Sequence, residues 1–306
     1  MKFAVLLIWC RDKMKVRFWG VRGSIPSPGP KTVRYGGNTT CIEVRTDDGQ
    51  LIILDAGTGI FPLSQTLLGD GPVRAHIFNT HSHWDHIQGL PFFIPLFIPG
   101  NHVTVYGAYD PIGQNSIEEI LTAQLQYRFF PIRESELNAK IDYVTLREGD
   151  PVILGDTTVT PILMNHPVVN FGYRIDCNGK SMFFTGDHEP PYNIYNPEDD
   201  EFAMYESLLH QKNNNMIEQI RDVDLLISDA SYTEEEYPAK KGWGHGTFNS
   251  GMALAEQAGA KHLLLTHHEP TRSDDALEAV FKASMQERRY EVSEIGLARE
   301  GMLFEW

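Results

Sequence analysis

One pattern constrains this 306-residue chain more than any other: a short apolar run, of strand length, that stops at a histidine or an aspartate. Leu51-Ile52-Ile53-Leu54 stops at Asp55. Ala75-His76-Ile77-Phe78 leads through Asn79-Thr80 to His81, and Pro161-Ile162-Leu163-Met164 leads through Asn165 to His166. Met182-Phe183-Phe184 leads through Thr185-Gly186 to Asp187, Leu225-Leu226-Ile227 through Ser228 to Asp229, and Leu263-Leu264-Leu265 through Thr266 to His267. Runs that are apolar throughout are what strands need when both faces of their sheet are covered. Layered α/β proteins place their binding groups just past the carboxyl ends of such strands. Six endings of this kind predict an α/β fold with a single rim of His and Asp side chains.

The stretches between the runs hold helix signals. Within 116–127, Ile117, Ile120, Leu121 and Leu125 fall near helical spacing. Residues 250–258 are alanine-rich, and Ser273-Asp274-Asp275 can cap a helix running through Leu277, Val280 and Phe281. The first third reads as strands joined by glycine turns, beginning with Val16-Arg17-Phe18-Trp19. Two stretches read as insertions over the rim: 91–107, rich in Phe and Pro, and 188–215, acidic at Glu189, Glu198, Asp199, Asp200 and Glu201. The apolar run at 3–9 is far shorter than the roughly 20 residues of a membrane span. Cys10-Arg11-Asp12-Lys13 after it does not suit signal cleavage. Residues 1–13 therefore read as an extension, and 14–306 as one folded domain.

The densest chemistry lies at His81-Ser82-His83-Trp84-Asp85-His86. Imidazole and carboxylate together suit zinc and related divalent ions. Alternate residues at a strand end point one way, so His81 and His83 can grip one ion. Asp85 and His86, opening the next helix, can grip a second beside it. A solvated polar turn would not need four such groups in six positions. The three cysteines, Cys10, Cys41 and Cys177, form no Cys-x-x-Cys pair. That argues against a thiolate zinc knuckle or a disulfide framework and points to a reducing, cytoplasmic setting.

His-x-His-x-Asp-His at 81–86, the preceding Asp55, the later His166, the Gly186-Asp187 pair and the final His267, in this order, resemble the metallo-β-lactamase superfamily from about Met14 onward. The resemblance implies an αββα four-layer sandwich, with two facing sheets and helices outside. It also implies two divalent ions, zinc before manganese or iron(II). His81, His83 and His166 would hold one ion, Asp85, His86 and His267 the other, and Asp187 would bridge them. Asp55 would orient the ligand loop from behind without touching metal. His268, beside His267, would support the ligands or meet substrate. His76, His102, His210 and His262 lack such company and read as structural or surface residues.

Gly244-His245-Gly246-Thr247, followed by the alanine-rich helix, resembles the histidine motif of the tRNA 3′-processing nuclease and cyclic phosphodiesterase branch. Asp229 is similar to the acidic partner of that histidine, a position where the family more often has Glu. The segments Phe18-Trp19-Gly20-Val21-Arg22-Gly23-Ser24-Ile25-Pro26 and Tyr35-Gly36-Gly37-Asn38-Thr39 also look like this branch, although such glycine-rich turns commonly serve packing. The expected enzyme is a dinuclear metal-dependent phosphodiesterase. A metal-bridging hydroxide would attack phosphorus, Asp85 would accept its hydrogen bond, and His245, oriented by Asp229, would protonate the leaving oxygen. A glyoxalase-like thioester or lactone hydrolase would use the same metals, and thioester chemistry would not need the His245–Asp229 pair. A non-catalytic sensor would be expected to have lost a ligand.

Charge narrows the partner. A net charge of −15 disfavours a large nucleic acid and an anionic membrane. The acidic 188–215 stretch would repel RNA, and no basic, glycine-rich arm for tRNA is visible. Two dications would still leave one positive rim on an acidic protein, fit for a small phosphodiester such as a cyclic nucleotide. The aromatics of 91–107, with Tyr127, Phe129 and Phe130, are either base-stacking surfaces or ordinary core or oligomer interface. A homodimer is left open.

Overall fold

The structure is a computed structural model that describes residues 13–69, 71–287 and 290–306. Residues 1–12, nearly all of the expected extension, lie outside the described residues. The first sheet draws on the N-terminal half: β1 (Lys15–Gly20), β2 (Cys41–Arg45), β3 (Leu51–Leu54), β4 (Arg74–Phe78), β5 (His102–Ala108) and β6 (Lys140–Leu146). The second comprises β7 (Val152–Leu154), β8 (Thr157–Met164), β9 (Asn170–Cys177), β10 (Lys180–Phe184), β11 (Leu225–Asp229), β12 (His262–Thr266) and β13 (Glu294–Leu297). β14 (Leu303–Glu305) returns to the first sheet, giving the orders β14-β1-β2-β3-β4-β5-β6 and β13-β12-β11-β10-β9-β8-β7. Each sheet is mixed, with β3 to β6 parallel in one and β10 to β13 parallel in the other.

Helices α1 (Ile60–Thr66), α2 (Trp84–Ile87), α3 (Ile117–Thr122), α4 (Phe202–Gln219), α5 (Phe248–Ala258) and α6 (Asp274–Glu287) lie in the connections. The packing explains the unbroken apolar runs. In β3, Ile52 and Leu54 join Phe78 of β4 in a core that also holds Tyr173, Met182, Phe184 and Ile227 of the second sheet. Ile53, between them, belongs to the outer layer with Ile77, Ile60 and Leu63 of α1, and Ile117 and Leu121 of α3. On the opposite side Phe183, Leu226, Leu263 and Leu265 pack with Ile217 of α4, Met252 of α5 and Leu277 of α6. Both faces of each sheet are therefore dry, and the αββα sandwich follows.

β8 is antiparallel to β9, and β9 to β10, so β8 runs in the direction of β10 to β12. The polar residues that follow these strands consequently share one end of the sandwich. α5 starts just past His245 because Thr247 caps it, its side chain accepting from Ser250 N.

Several expectations change. Residues 102–107 are not insertion but most of β5, a buried strand between β4 and β6; the preceding stretch to 101, with its 3-10 turns at 90–92 and 94–97, lies outside the sheets. The helix within 116–127 ends at Thr122 and tightens into a 3-10 turn. Tyr127 and Phe129 are 68% and 66% exposed, so neither is core. In 188–215, residues from 202 onward form most of α4, and Glu189 is buried instead of contributing to an acidic surface. Among the described residues no helix is long and apolar enough to cross a membrane.

Candidate metal centre

Three overlapping groups of ligand atoms gather at the shared strand end, each within 4.8 Å: His81, His83, His166 and Asp187; Asp85, His86 and His267; and Asp187, Asp229, His245 and His267. Asp187 faces imidazoles on both sides. Its Oδ2 lies 3.4 Å from His81 Nε2 and 4.0 Å from His166 Nε2. Its Oδ1 lies 3.2 Å from His86 Nε2 and 3.1 Å from His267 Nε2. Asp85 Oδ2 is 3.2 Å from His267 Nε2 and 3.4 Å from His86 Nε2. The fold thus brings together all seven residues singled out as ligands.

The remaining ring nitrogens are held from behind. His86 Nδ1 is 2.7 Å from Asp55 Oδ2, His166 Nδ1 2.9 Å from Gly244 O, His267 Nδ1 3.0 Å from Ser231 Oγ, and His81 Nδ1 3.1 Å from Thr80 Oγ1. An Nδ1–H that donates outward leaves an Nε2 lone pair facing the group, which is the tautomer a metal needs. His83 is turned the other way, with Nδ1 3.1 Å from His166 Nε2. His81 Nε2 and Asp187 Oδ1 are buried yet make no hydrogen bond, despite the imidazole nitrogens close to each carboxylate oxygen. Buried polar atoms left without a partner are costly, and a cation between such donors removes the cost. The donor set therefore fits divalent ions, and the clusters have the form of the dinuclear centre typical of this fold.

Asp55 is fully buried and touches the cluster only through His86, while also accepting from Thr80 N at 2.7 Å. Asp55 and His267 both adopt left-handed backbone, at φ of 63° and 59°. For non-glycine residues that conformation costs about 1–2 kcal/mol, held here by the surrounding packing. His268 points away from the cluster. Its Nε2 donates to Ala298 O at 2.8 Å, its ring stands edge-on to Tyr35, and burial pushes its pKa down to about 3. It is fully buried, so it supports the strand end and meets no substrate surface.

His245 Nδ1 lies 2.9 Å from Asp229 Oδ2 and 3.7 Å from Asp187 Oδ2. Burial opposes its charge, but Asp229 and then Asp187 outweigh that effect and lift its pKa to about 9. Asp229 is itself fixed, accepting from His188 N at 3.2 Å and from Ser231 Oγ at 3.0 Å. Burial would likewise lower His86, yet Asp187, Asp85 and Asp55 around it raise its pKa well above the ordinary value.

Some participants carry no sequence signal of their own. Ser24 N donates to Asp85 Oδ2 at 2.7 Å, and a Cβ on Gly23 would stand 2.3 Å from the His267 ring. Arg22, buried completely, donates to Gly36 O at 2.8 Å and Arg272 O at 2.9 Å. The glycine-rich opening segment is therefore tight packing that also reaches the ligands. Ser231 and Thr80 are small hydroxyl residues of a common kind, recognisable only once the fold sets them beside imidazoles.

A sandwich of two mixed sheets with a rim of paired His/Asp clusters defines a class, and residues 50–268 match its model, the beta-lactamase superfamily domain. The chain belongs to that family and is a metal-dependent hydrolase of it. Among its relatives, ribonuclease Z of Haloarcula marismortui is 26% identical over 319 residues, covering 94% of this chain and 96% of that protein. The fold is shared with the metallo-beta-lactamase fold protein YhfI of Bacillus subtilis, at a TM-score of 0.65 and 20% identity over 96% of this chain and 100% of that one. It is shared also with a diphosphatase from the PhnP family, at a TM-score of 0.62 and 19% identity over 96% and 98% of the two chains.

Proposed function

We propose that residues 14–306 form a dinuclear metal-dependent phosphodiesterase acting on small phosphodiesters. The observation that carries this reading is the His245–Asp229 pair, 2.9 Å apart and 3.7 Å from Asp187. Cleaving a phosphodiester expels an oxygen anion that benefits from a proton as it leaves, whereas a thiolate leaves without one. A histidine anchored at Nδ1 by a buried carboxylate can hold such a proton and hand it to the leaving oxygen. In this reading His81, His83 and His166 hold one ion, Asp85, His86 and His267 the other, and Asp187 faces both. Bound there, the ions would polarise the phosphoryl group and bring the pKa of water to about 7. Asp85 accepts a hydrogen bond from the attacking water, and Asp229 keeps His245 Nδ1 occupied so that Nε2 faces the leaving oxygen.

Substrate size is argued from the recess next to His81. It measures about 270 Å³ and is lined by Ser82, Tyr109, Ile112 and Val168. That volume is slightly below the roughly 300 Å³ at which drug-sized sites begin, and it suits one nucleoside-like group. The ribonuclease Z relatives favour a second reading, an RNA end as substrate.

The test is a substrate panel on protein of measured metal content: a bis-aryl phosphodiester, 2′,3′- and 3′,5′-cyclic nucleotides, a 3′-extended RNA and S-acyl glutathione. Phosphodiester cleavage is expected, with His245→Ala lowering kcat about 10²–10⁴-fold while both metals stay bound. Asp187→Ala should lose metal. Activity on the thioester alone would overturn the function, and a wild-type rate in His245→Ala would overturn the role of His245.

A further inference from the structure

Glu189 immediately follows the Asp187-His188 step, and the chemistry above does not use it. It is 3% exposed. All the hydrogen bonds its carboxylate accepts come from the segment leading to His245. Oε1 accepts from Tyr237 Oη at 2.7 Å and Gly242 N at 2.8 Å, and Oε2 accepts from Gly244 N at 2.9 Å. Its main chain is tied in the opposite direction. Glu189 N donates to Asn165 O at 3.0 Å, and Glu189 O accepts from Asn165 Nδ2 at 2.9 Å, one residue before His166.

Gly244 closes this circuit. Its N–H goes to Glu189 while its C=O accepts from His166 Nδ1. Its φ is +86°, and a Cβ there would stand 2.2 Å from His166 Nδ1, so the loop backbone lies directly against the imidazole. Gly242 and Trp243, the residues just before it, are exposed, and Gly242 also has positive φ. A segment built this way has few restraints of its own. The buried carboxylate supplies them at both glycines.

The geometry points to Glu189 as a positioning residue, one that fixes the 242–244 backbone so that His245 stands at the reacting centre. This inference rests on the phosphodiesterase reading for its catalytic consequence. The carboxylate is chemically required because every partner is a donor. In Glu189→Gln the amide either keeps Tyr237 and Gly242 on its oxygen and sets its NH2 against the Gly244 N–H, or keeps Gly244 on its oxygen, donates to the Tyr237 hydroxyl and sets its NH2 against the Gly242 N–H. The substitution therefore releases one of the two glycines with little change in volume.

The experiment compares Glu189→Gln, His245→Ala and the double variant in the metal-loaded full chain, using bis-aryl phosphodiesters whose leaving phenols differ in acidity. Glu189→Gln should lower kcat about 10–100-fold for the poorer leaving group, less for the better one, with KM unchanged. On the His245→Ala background it should lower kcat no further, because it acts through His245. Amide exchange in the metal-free protein gives a readout independent of turnover. The Gly242 or the Gly244 amide should exchange at least about tenfold faster in Glu189→Gln, while β11 and β12 amides keep their protection. Tyr237→Phe, which removes one donor to the same carboxylate, provides a milder variant with a smaller effect of the same sign. Losses that multiply in the double variant, or Gly242 and Gly244 amides that are both unchanged, overturn the inference. If His245→Ala runs at the wild-type rate, the general-acid reading fails, and the exchange result alone decides whether Glu189 holds the loop.

Discussion

Asp55→Asn probes how the ligand rings are set, because it changes a hydrogen-bonding pattern while leaving volume nearly constant. Asp55 presents acceptors only: Oδ2 to His86 Nδ1 at 2.7 Å, Oδ1 to Thr80 N at 2.7 Å and to Thr80 Oγ1 at 3.0 Å. Asparagine offers one acceptor and one NH2. With the oxygen kept by the Thr80 main chain, the NH2 faces His86 Nδ1. The ring then moves its proton to Nε2, the atom 3.2 Å from Asp187 Oδ1 and 3.4 Å from Asp85 Oδ2. A protonated Nε2 cannot bind metal, and forcing the working tautomer back sets two donors against each other at about 1–3 kcal/mol. At 1.4 kcal/mol per decade that weakens, in the proposed assignment, the ion on Asp85, His86 and His267 about 10–100-fold. The ion on His81, His83 and His166 should change little. The assay is zinc titration of metal-free protein against a chromophoric chelator, resolving both equilibria. Wild-type affinity at both sites, or an equal loss at both, would refute the tautomer argument. Asp55→Ala strips a partner from four buried donors, Thr80 N, Thr80 Oγ1, Asn79 Nδ2 and His86 Nδ1, of which Asn79 Nδ2 keeps His86 O, and should cost about 2–6 kcal/mol in urea unfolding of the metal-free protein.

Gly23→Ala should displace the His267 ring, since the new methyl would sit 2.3 Å from it; zinc affinity is expected to fall with only a modest change in unfolding midpoint, and an unchanged affinity would show the loop gives way instead. Acid should destabilise the metal-free protein through His188 and His268, which burial holds down at about 4 and about 3. Both lie below the unfolded value of 6.5, so the unfolded chain binds protons first and stability falls as pH drops from about 6.5 toward 4, by about 3 kcal/mol for each group at pH 4. Urea unfolding across that range checks it, and His268→Gln should flatten the slope. Tyr173→Phe removes the bond from its buried hydroxyl to Asn79 O, 2.5 Å long, and should cost about 1–3 kcal/mol of stability without altering metal stoichiometry.

The rim was legible because its two causes are both local. A strand dry on both faces must be apolar throughout, and a functional group at its end breaks that run, so Asp55, His81, His166, Asp187, Asp229 and His267 each mark their own strand. β5 escaped for the opposite reason. It begins at His102 and follows Pro99-Gly100, so its turn signals and the phenylalanines before it resemble a surface excursion. Edge strands such as β6, with only Leu146 fully buried, lack a continuous apolar run. Glu189 was read with its acidic neighbours because composition reports how many carboxylates a segment has, not which one turns inward. Its partners, Gly242 and Gly244, lie more than 50 residues away, and their contribution is backbone N–H, which every non-proline residue owns.

The split origin of the cluster has a mechanical consequence. His81, His83, Asp85 and His86 follow β4 of the first sheet, whereas His166, Asp187 and His267 follow β8, β10 and β12 of the second. With the proposed assignment, each ion draws donors from both, so loading the site adds cross-links between two layers already joined at that end by packing and by hydrogen bonds such as Phe171 N to Thr80 O. Ligand linkage sets the scale at about 2.7 kcal/mol per site when free metal exceeds its dissociation constant a hundredfold. Metal supply then governs the cohesion of the two halves as well as turnover, so a chelator should lower the unfolding midpoint as well as stop the chemistry.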